Sequence, residues 1–208
     1  MTAARNDDFM ALPGMEADST DTHHARERLS DNATPRSANT SSNTSPNASS
    51  KSALDALLDE YRARAKSERE KGTLFEELTR QFLLHDARFA HQFKEIYLWS
   101  EWPERRTGDT GIDLVAIPVH DGEGPVAIQC KFYALGHRIQ KTDIDSFLSA
   151  SGKEPFGRRI VVDTSGAPWG KNAQDAIEGQ QIPVSRITLA YLRDSDIDWR
   201  TYSLGSTQ

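Results

Sequence analysis

The chain holds one cysteine, Cys130, in 208 residues. An intrachain disulfide is excluded, and so is a cysteine-rich zinc centre. That scarcity fits a reducing, cytoplasmic compartment. No apolar run approaches the roughly 20 residues of a membrane-spanning helix. The first residues, MTAARNDDFM, lack an apolar core and a small-residue cleavage site, so no secretory signal is read. Net positive charge is also missing: the formal charge is -6. This counts against a protein that holds nucleic acid through its overall field, but leaves room for a local basic groove. A Gly-x-x-x-x-Gly-Lys-Ser/Thr phosphate loop occurs nowhere, so this polypeptide alone is expected not to hydrolyse ATP. There is no internal repeat.

Large apolar residues are scarce at the N-terminus. Residues 1–51 are dominated by Ser, Thr, Asn, Ala, Asp and Pro, and Ser37–Ser52 has no large apolar side chain. Such a segment cannot bury enough surface to offset the entropy of ordering, so a disordered tail is expected. Residues 52–72 read as an N-terminal helix and linker, capped by Ser52, with Leu54, Leu57, Leu58 and Tyr61 on one stripe. Its charged continuation, RARAKSEREK, is expected to stay helical until a break at Gly72. The main domain then spans 73–200, and 201–208 form a C-terminal tail.

The domain is organised around Gly108–Tyr133, GDTGIDLVAIPVHDGEGPVAIQCKFY. Two apolar runs, Ile112–Val119 and Val126–Phe132, flank an Asp-Gly turn, which is a hairpin signal. Val126, Ile128, Cys130 and Phe132 share one strand face, read as core; Ala127, Gln129 and Lys131 share the other. Asp113 opens the first strand and so comes level with Gln129 and Lys131 near the end of the second. A carboxylate, an amide and an amine at one point suffice for a hard-cation site with an adjacent ammonium group. The glycines of Gly108-Asp109-Thr110-Gly111 suit a tight turn or close backbone approach to a ligand.

Around this hairpin the elements read in order. A second helix starts at Thr73. At about 100° per residue, Phe75, Leu78 and Phe82 cluster on one side. Glu76 flanks that stripe, and Glu77 points away. Ile96–Trp102 is the first strand, ended by Pro103. Arg105 and Arg106 lie in the loop before the hairpin, either to meet phosphates or as solvated loop residues. Thr142 caps a helix over Asp143–Ser151, with Asp145 at its third position. Lys141 and Lys153 flank it as candidate phosphate contacts or ordinary surface lysines. Arg158-Arg159 precede a buried strand, Ile160–Val162. A helix, Asn172–Glu178, and a strand, Val184–Leu192, follow. This order gives an α/β fold with a mixed central sheet flanked by helices.

Gly111-Ile112-Asp113 and Gln129-Cys130-Lys131 resemble the signature of the Mrr-like restriction endonucleases of the PD-(D/E)XK superfamily. That signature is an Asp, a hairpin, then an acid or Gln, any residue, and Lys. Trp99–Pro103, Gly108–Asp113 and Gln129–Tyr133 are most similar to the nuclease domain at the front of type ISP restriction–modification enzymes, single chains with a helicase motor. The resemblance covers roughly Leu74 to Trp199. It departs from the superfamily pattern at Ile112, in place of Pro, and at Gln129, in place of the second acid, one negative charge short.

The resemblance implies a restriction-endonuclease-like core and Mg²⁺-dependent hydrolysis of DNA phosphodiester bonds in the restriction of foreign DNA. Asp113 and Gln129 would ligate the metal. Phe75-Glu76 matches a Phe-Glu pair on the family's first helix, so Glu76 would hold water from an outer shell. Lys131 would stabilise developing negative charge. Alternatives are a Holliday-junction-resolvase-like nuclease, an inactive DNA-binding module of this fold, and an interaction domain using the polar strand face. Double-stranded DNA is the expected partner, with a helicase or methyltransferase supplied by another chain or a missing C-terminal portion. The strand-face position of Asp113 and Lys131 also suggests that alanine at either leaves folding intact.

Overall fold

A leucine stripe starts the folding unit. The computed structural model describes residues 46–105, 108 and 110–202, with side chains from Ala53 onward. Residues 1–45 of the expected tail, Arg106 and residues 203–208 lie outside the described residues. The first helix, α1, spans Pro46–Arg64 and buries Leu54, Leu57, Leu58 and Tyr61. It begins ahead of the expected Ser52 cap, with proline at its first position, where a missing N–H costs nothing.

The helix break falls earlier than Gly72. The second helix, α2, spans Glu68–His85, and Ser67 caps it by accepting the Glu70 N–H at 3.1 Å. Ser-x-x-Glu is a start signal inside the charged run expected to be continuous helix. Gly72 is tolerated within α2. A mid-helix glycine costs about 1 kcal/mol, and burial of Phe75, Leu78, Phe82 and Leu83 offsets it.

Five strands form a mixed sheet in sequential order: β1 Phe93–Leu98, β2 Leu114–Pro118, β3 Val126–Lys131, β4 Arg158–Asp163 and β5 Val184–Thr188. β1, β2 and β3 pair antiparallel, and β3, β4 and β5 pair parallel. The parallel crossovers run through α3, Lys141–Ser151, and α4, Lys171–Ile177. The expected α/β class with a mixed, helix-flanked sheet is therefore the observed one.

Boundaries differ where a cap or a buried aromatic outweighs strand propensity. β1 ends at Leu98, and Trp102 is buried from the following loop. α3 is capped by Gln140, not Thr142; the Asp143 carboxylate accepts the Gln140 N–H at 2.7 Å, and Asp145 pairs with Lys141 instead. β5 stops at Thr188, whose hydroxyl accepts the Tyr191 N–H at 3.2 Å and starts α5, Leu189–Arg193.

Both sheet faces are covered. Val115, Ala127 and Val161 pack against Ile144 and Phe147 of α3 and Ala173 of α4. On the opposite face α2 meets the sheet, with Phe75 stacked on Phe132 at 5.0 Å between ring centroids. The Ala127–Gln129 face, expected to be polar, is thus interior: Ala127 is fully buried and Gln129 is 2% exposed. Strands in the parallel part of a sheet are covered by crossover helices on this face, which alternation within one hairpin does not reveal.

Candidate active site

Gly111 delivers the chain into β2. Its φ is +76°, which L side chains rarely adopt. A Cβ there would lie 2.8 Å from Ser146 Oγ and 3.2 Å from Gln129 Nε2. The glycine gives the expected tight turn and allows close approach of α3.

The pairing of Leu114 with Ile128 ends the hairpin register and leaves Asp113 just beyond it, beside the Ile128–Cys130 stretch of β3. Asp113 donates its N–H to Ile128 O at 2.9 Å and accepts the Trp99 N–H at its own carbonyl at 2.7 Å. Its side chain is also engaged: Oδ2 accepts the Cys130 backbone N–H at 2.6 Å. The carboxylate is therefore held by the three-strand edge that carries it.

Gln129 is half satisfied. Nε2 donates to Gly111 O at 3.0 Å, while Oε1 is shielded from solvent and has no hydrogen-bond partner. An unpaired buried acceptor costs about 1–3 kcal/mol. A cation or a donor at this oxygen would recover that cost. Among the described residues no group of three His, Cys, Asp or Glu is assembled to hold a metal. The donors at hand are instead one carboxylate and one amide oxygen, a hard oxygen set that fits Mg²⁺ with its retained waters.

Glu76 on α2 joins Asp113 in lining a pocket of about 560 Å³, with Arg69, Trp99 and Arg105 also in its wall. Glu77 is taken up by Arg80 and Gln81, both at 3.0 Å. Lys131 ends β3, half-buried, level with Asp163 of β4. The charges of Asp113, Glu76 and Lys131 all reach the Cys130 thiol. Burial chiefly pushes that thiol well up; Asp113 and Glu76 raise it further, and Lys131 opposes them. Gln129 and Lys131 flank Cys130 in β3, and Glu76 lines the same pocket as Asp113.

The expected phosphate contacts separate. Arg105 is exposed at the Asp113 pocket. Lys141 is exposed but paired with Asp145. Lys153 lines a neighbouring pocket, and Arg106 lies outside the described residues.

Two features escaped sequence reading. Arg69, Gly72, Thr73 and Glu76 all line the Asp113 pocket. Their spacing, i, i+3, i+4, i+7, is one helix stripe once α2 starts at Ser67. The second is Asp163, fully buried at the end of β4. It accepts from Arg186 Nε at 2.6 Å, Arg186 Nη2 at 3.0 Å, Trp169 Nε1 at 3.3 Å and the Ser165 hydroxyl at 2.5 Å. This network ties β4 to β5 beside Lys131. Arg186 inside a short strand gave no signal of pointing at an internal acid.

Comparison with known proteins bears on the whole domain. An Mrr-type catalytic-domain model, described as a restriction endonuclease, matches residues 84–208. The ATP-dependent type ISP restriction–modification enzyme LlaBIII, solved bound to DNA, superposes with a TM-score of 0.60 at 31% identity, over 73% of this chain and 9% of that one. MspJI restriction endonuclease in complex with a 27-mer oligonucleotide gives a TM-score of 0.45 at 17% identity, covering 78% of this chain and 34% of that one. The DNA modification-dependent restriction endonuclease AspBHI gives 0.45 at 16%, covering 77% and 39%. No curated protein matches the chain. The chain spans a small part of the LlaBIII polypeptide. With a mixed sheet, an Asp113–Gln129–Lys131 hairpin and a family match over more than half its length, this chain belongs to the Mrr-like restriction endonuclease family.

Proposed function

We propose that this domain is a Mg²⁺-dependent DNA endonuclease acting in restriction of foreign DNA. The observation that carries this reading is the unpartnered, buried Gln129 Oε1, on the residue between the two of β3 that hydrogen-bond Asp113. A bare oxygen in the strand that also binds a carboxylate is costly in a finished core and useful in a metal site. Asp113 and Gln129 would hold the cation.

Bound Mg²⁺ would supply the charge that offsets phosphate oxygens and favours hydroxide over water. The chain's own groups do the rest. Glu76, across the pocket from Asp113, orients the attacking water. Lys131 stabilises negative charge as the phosphorus centre becomes more crowded. Arg69 and Arg105 at the pocket wall take the flanking phosphates. Lys141 is a weaker candidate, since Asp145 competes for it.

Double-stranded DNA is the proposed substrate, and a motor or target-recognising part would come from a longer polypeptide or another chain. The test is nicking of supercoiled plasmid. Cleavage with Mg²⁺ and none with excess EDTA supports the reading. DNA binding with no cleavage under any divalent cation would replace it with a non-catalytic binding module.

A further inference from the structure

We infer that Arg186 is a positioning residue: it saturates the Asp163 carboxylate, so that the ammonium of Lys131 stays free for the candidate site. This rests on the nuclease reading and extends it to a residue outside the pocket. Lys131 and Asp163 are register partners in the parallel pair of β3 and β4. Register partners on adjacent strands send their side chains to the same face of a sheet. Here that face is the one under α3 and α4, where Val161 and Trp169 pack. An ammonium on a flexible stem therefore starts one strand spacing, about 4.8 Å, from a buried carboxylate.

Neighbours of this kind ordinarily join. Lys71, Lys94, Lys141 and Lys171 each meet a carboxylate oxygen at 2.5–2.9 Å. Lys131 lies beside a carboxylate and forms no ion pair among the described residues. The reason is on the acid. A carboxylate offers about four lone-pair sites. Asp163 accepts five hydrogen bonds: Oδ1 takes the Ser165 N–H at 3.1 Å, the Ser165 hydroxyl at 2.5 Å and Arg186 Nη2 at 3.0 Å, and Oδ2 takes Arg186 Nε at 2.6 Å and Trp169 Nε1 at 3.3 Å. No acceptor site is left for Lys131.

Arg186 gives two of those bonds and brings the charge that cancels the carboxylate. It is itself held from two sides. Nη2 also donates to Ala167 O at 2.8 Å, and the guanidinium carbon lies 5.1 Å from the centroid of the Trp169 ring. Without Arg186 the buried charge of Asp163 would draw in the cation beside it, Lys131. That pair would turn the ammonium towards β4 and away from a phosphate.

The test uses the full chain and reads the Lys131 amine directly. Reductive methylation followed by peptide mass spectrometry measures its reactivity, with the exposed Lys153 as internal standard. Arg186→Gln removes the cancelling charge and should slow Lys131 labelling about ten-fold, the scale of one part-buried ion pair. Arg186→Gln combined with Asp163→Asn leaves no charge to pair with and should restore wild-type labelling. Ser165→Ala opens one acceptor site without touching Arg186 and should slow labelling by a smaller factor. Plasmid nicking at saturating DNA should fall and recover in the same order, with the half-saturating DNA concentration unchanged. Damaged packing alone predicts the opposite, a double variant no better than the single one. Unchanged Lys131 labelling in folded Arg186→Gln overturns the proposal; if that variant does not fold, unchanged labelling in Ser165→Ala does so. A double variant labelled as slowly as the single one overturns it too, as does nicking that holds the wild-type rate while labelling falls. Labelling that follows the expected order in a protein that nicks no DNA keeps the Lys131 arrangement and removes the nuclease reading.

Discussion

The Asp113 carboxylate accepts the Cys130 backbone N–H at 2.6 Å. One side chain therefore bridges the two strands that hold the candidate site, and folding and chemistry are coupled through it. The strand-face argument that Asp113→Ala leaves folding intact needs correction. Alanine would strand the Cys130 N–H, at about 1–3 kcal/mol. Asp113→Asn keeps an acceptor oxygen and removes only the charge. The expectation is a lower melting temperature for Ala, a near-native one for Asn, and loss of cleavage in both. Equal melting of Ala and wild type would remove the bridging role.

Gln129 gives a metal-linked prediction. Its Nε2 donates to Gly111 O at 3.0 Å, and a glutamate cannot. Gln129→Glu sets a carboxylate against that carbonyl, so in EDTA it should melt lower than wild type. With Mg²⁺ the added charge is compensated, and the upward shift in melting temperature should exceed that of wild type. Cleavage should persist. Gln129→Leu keeps bulk without the oxygen and should cripple cleavage with no Mg²⁺-dependent shift. Identical Mg²⁺ responses in all three proteins would exclude Gln129 as a ligand.

Arg186 and Asp163 form a buried pair next to the candidate site, since Asp163 is the sheet partner of Lys131. Asp163 is inaccessible, and Arg186 is 16% exposed. Arg186→Ala would leave an uncompensated buried carboxylate, which typically costs about 3–5 kcal/mol. Denaturant unfolding measures this directly. A loss below ~1 kcal/mol would show that water or Trp169 and Ser165 suffice for Asp163.

Much of this arrangement was legible from the chain, and the reasons for the exceptions are physical. The hairpin follows from period-two alternation around Asp-Gly, and its register runs from Ala116–Val126 to Leu114–Ile128, next to Asp113. The helix order and sheet class follow from alternating periodicities. Arg69 is hidden from the sequence because Gly72 suggests a break and the Ser67 cap lies inside a run of charged residues. The burial of Gln129 was hidden because α3, twelve residues or more along the chain, covers that face. Such non-local packing leaves no mark on strand alternation. Asp163 was hidden because its partner Arg186 lies on another strand.

Tyr133 supplies a pH prediction. Burial, then the hydrogen bond to Asp143 at 3.1 Å, push its phenol up to about 12; burial does the same for Tyr61. In the unfolded chain both ionise near the ordinary value of 10.0. Because folding raises both, their stabilisation is complete below about pH 10 and is lost as pH climbs towards 12. Tyrosinate absorbance should keep rising as pH climbs towards 12, and Tyr133→Phe should lower that late amplitude. An unchanged late amplitude in Tyr133→Phe would refute the assignment.

Lys131 carries the central claim. Its side chain has no ion-pair partner among the described residues, whereas its backbone carbonyl accepts the Thr164 N–H at 3.1 Å. Alanine keeps the backbone bond and removes the ammonium alone. The measurement is the plasmid nicking rate at saturating Mg²⁺, for wild type and Lys131→Ala of matched melting temperature. The account predicts a fall of roughly a hundred- to thousandfold, the scale of one electrostatic group at a transition state. A folded Lys131→Ala protein that nicks at the wild-type rate would contradict it.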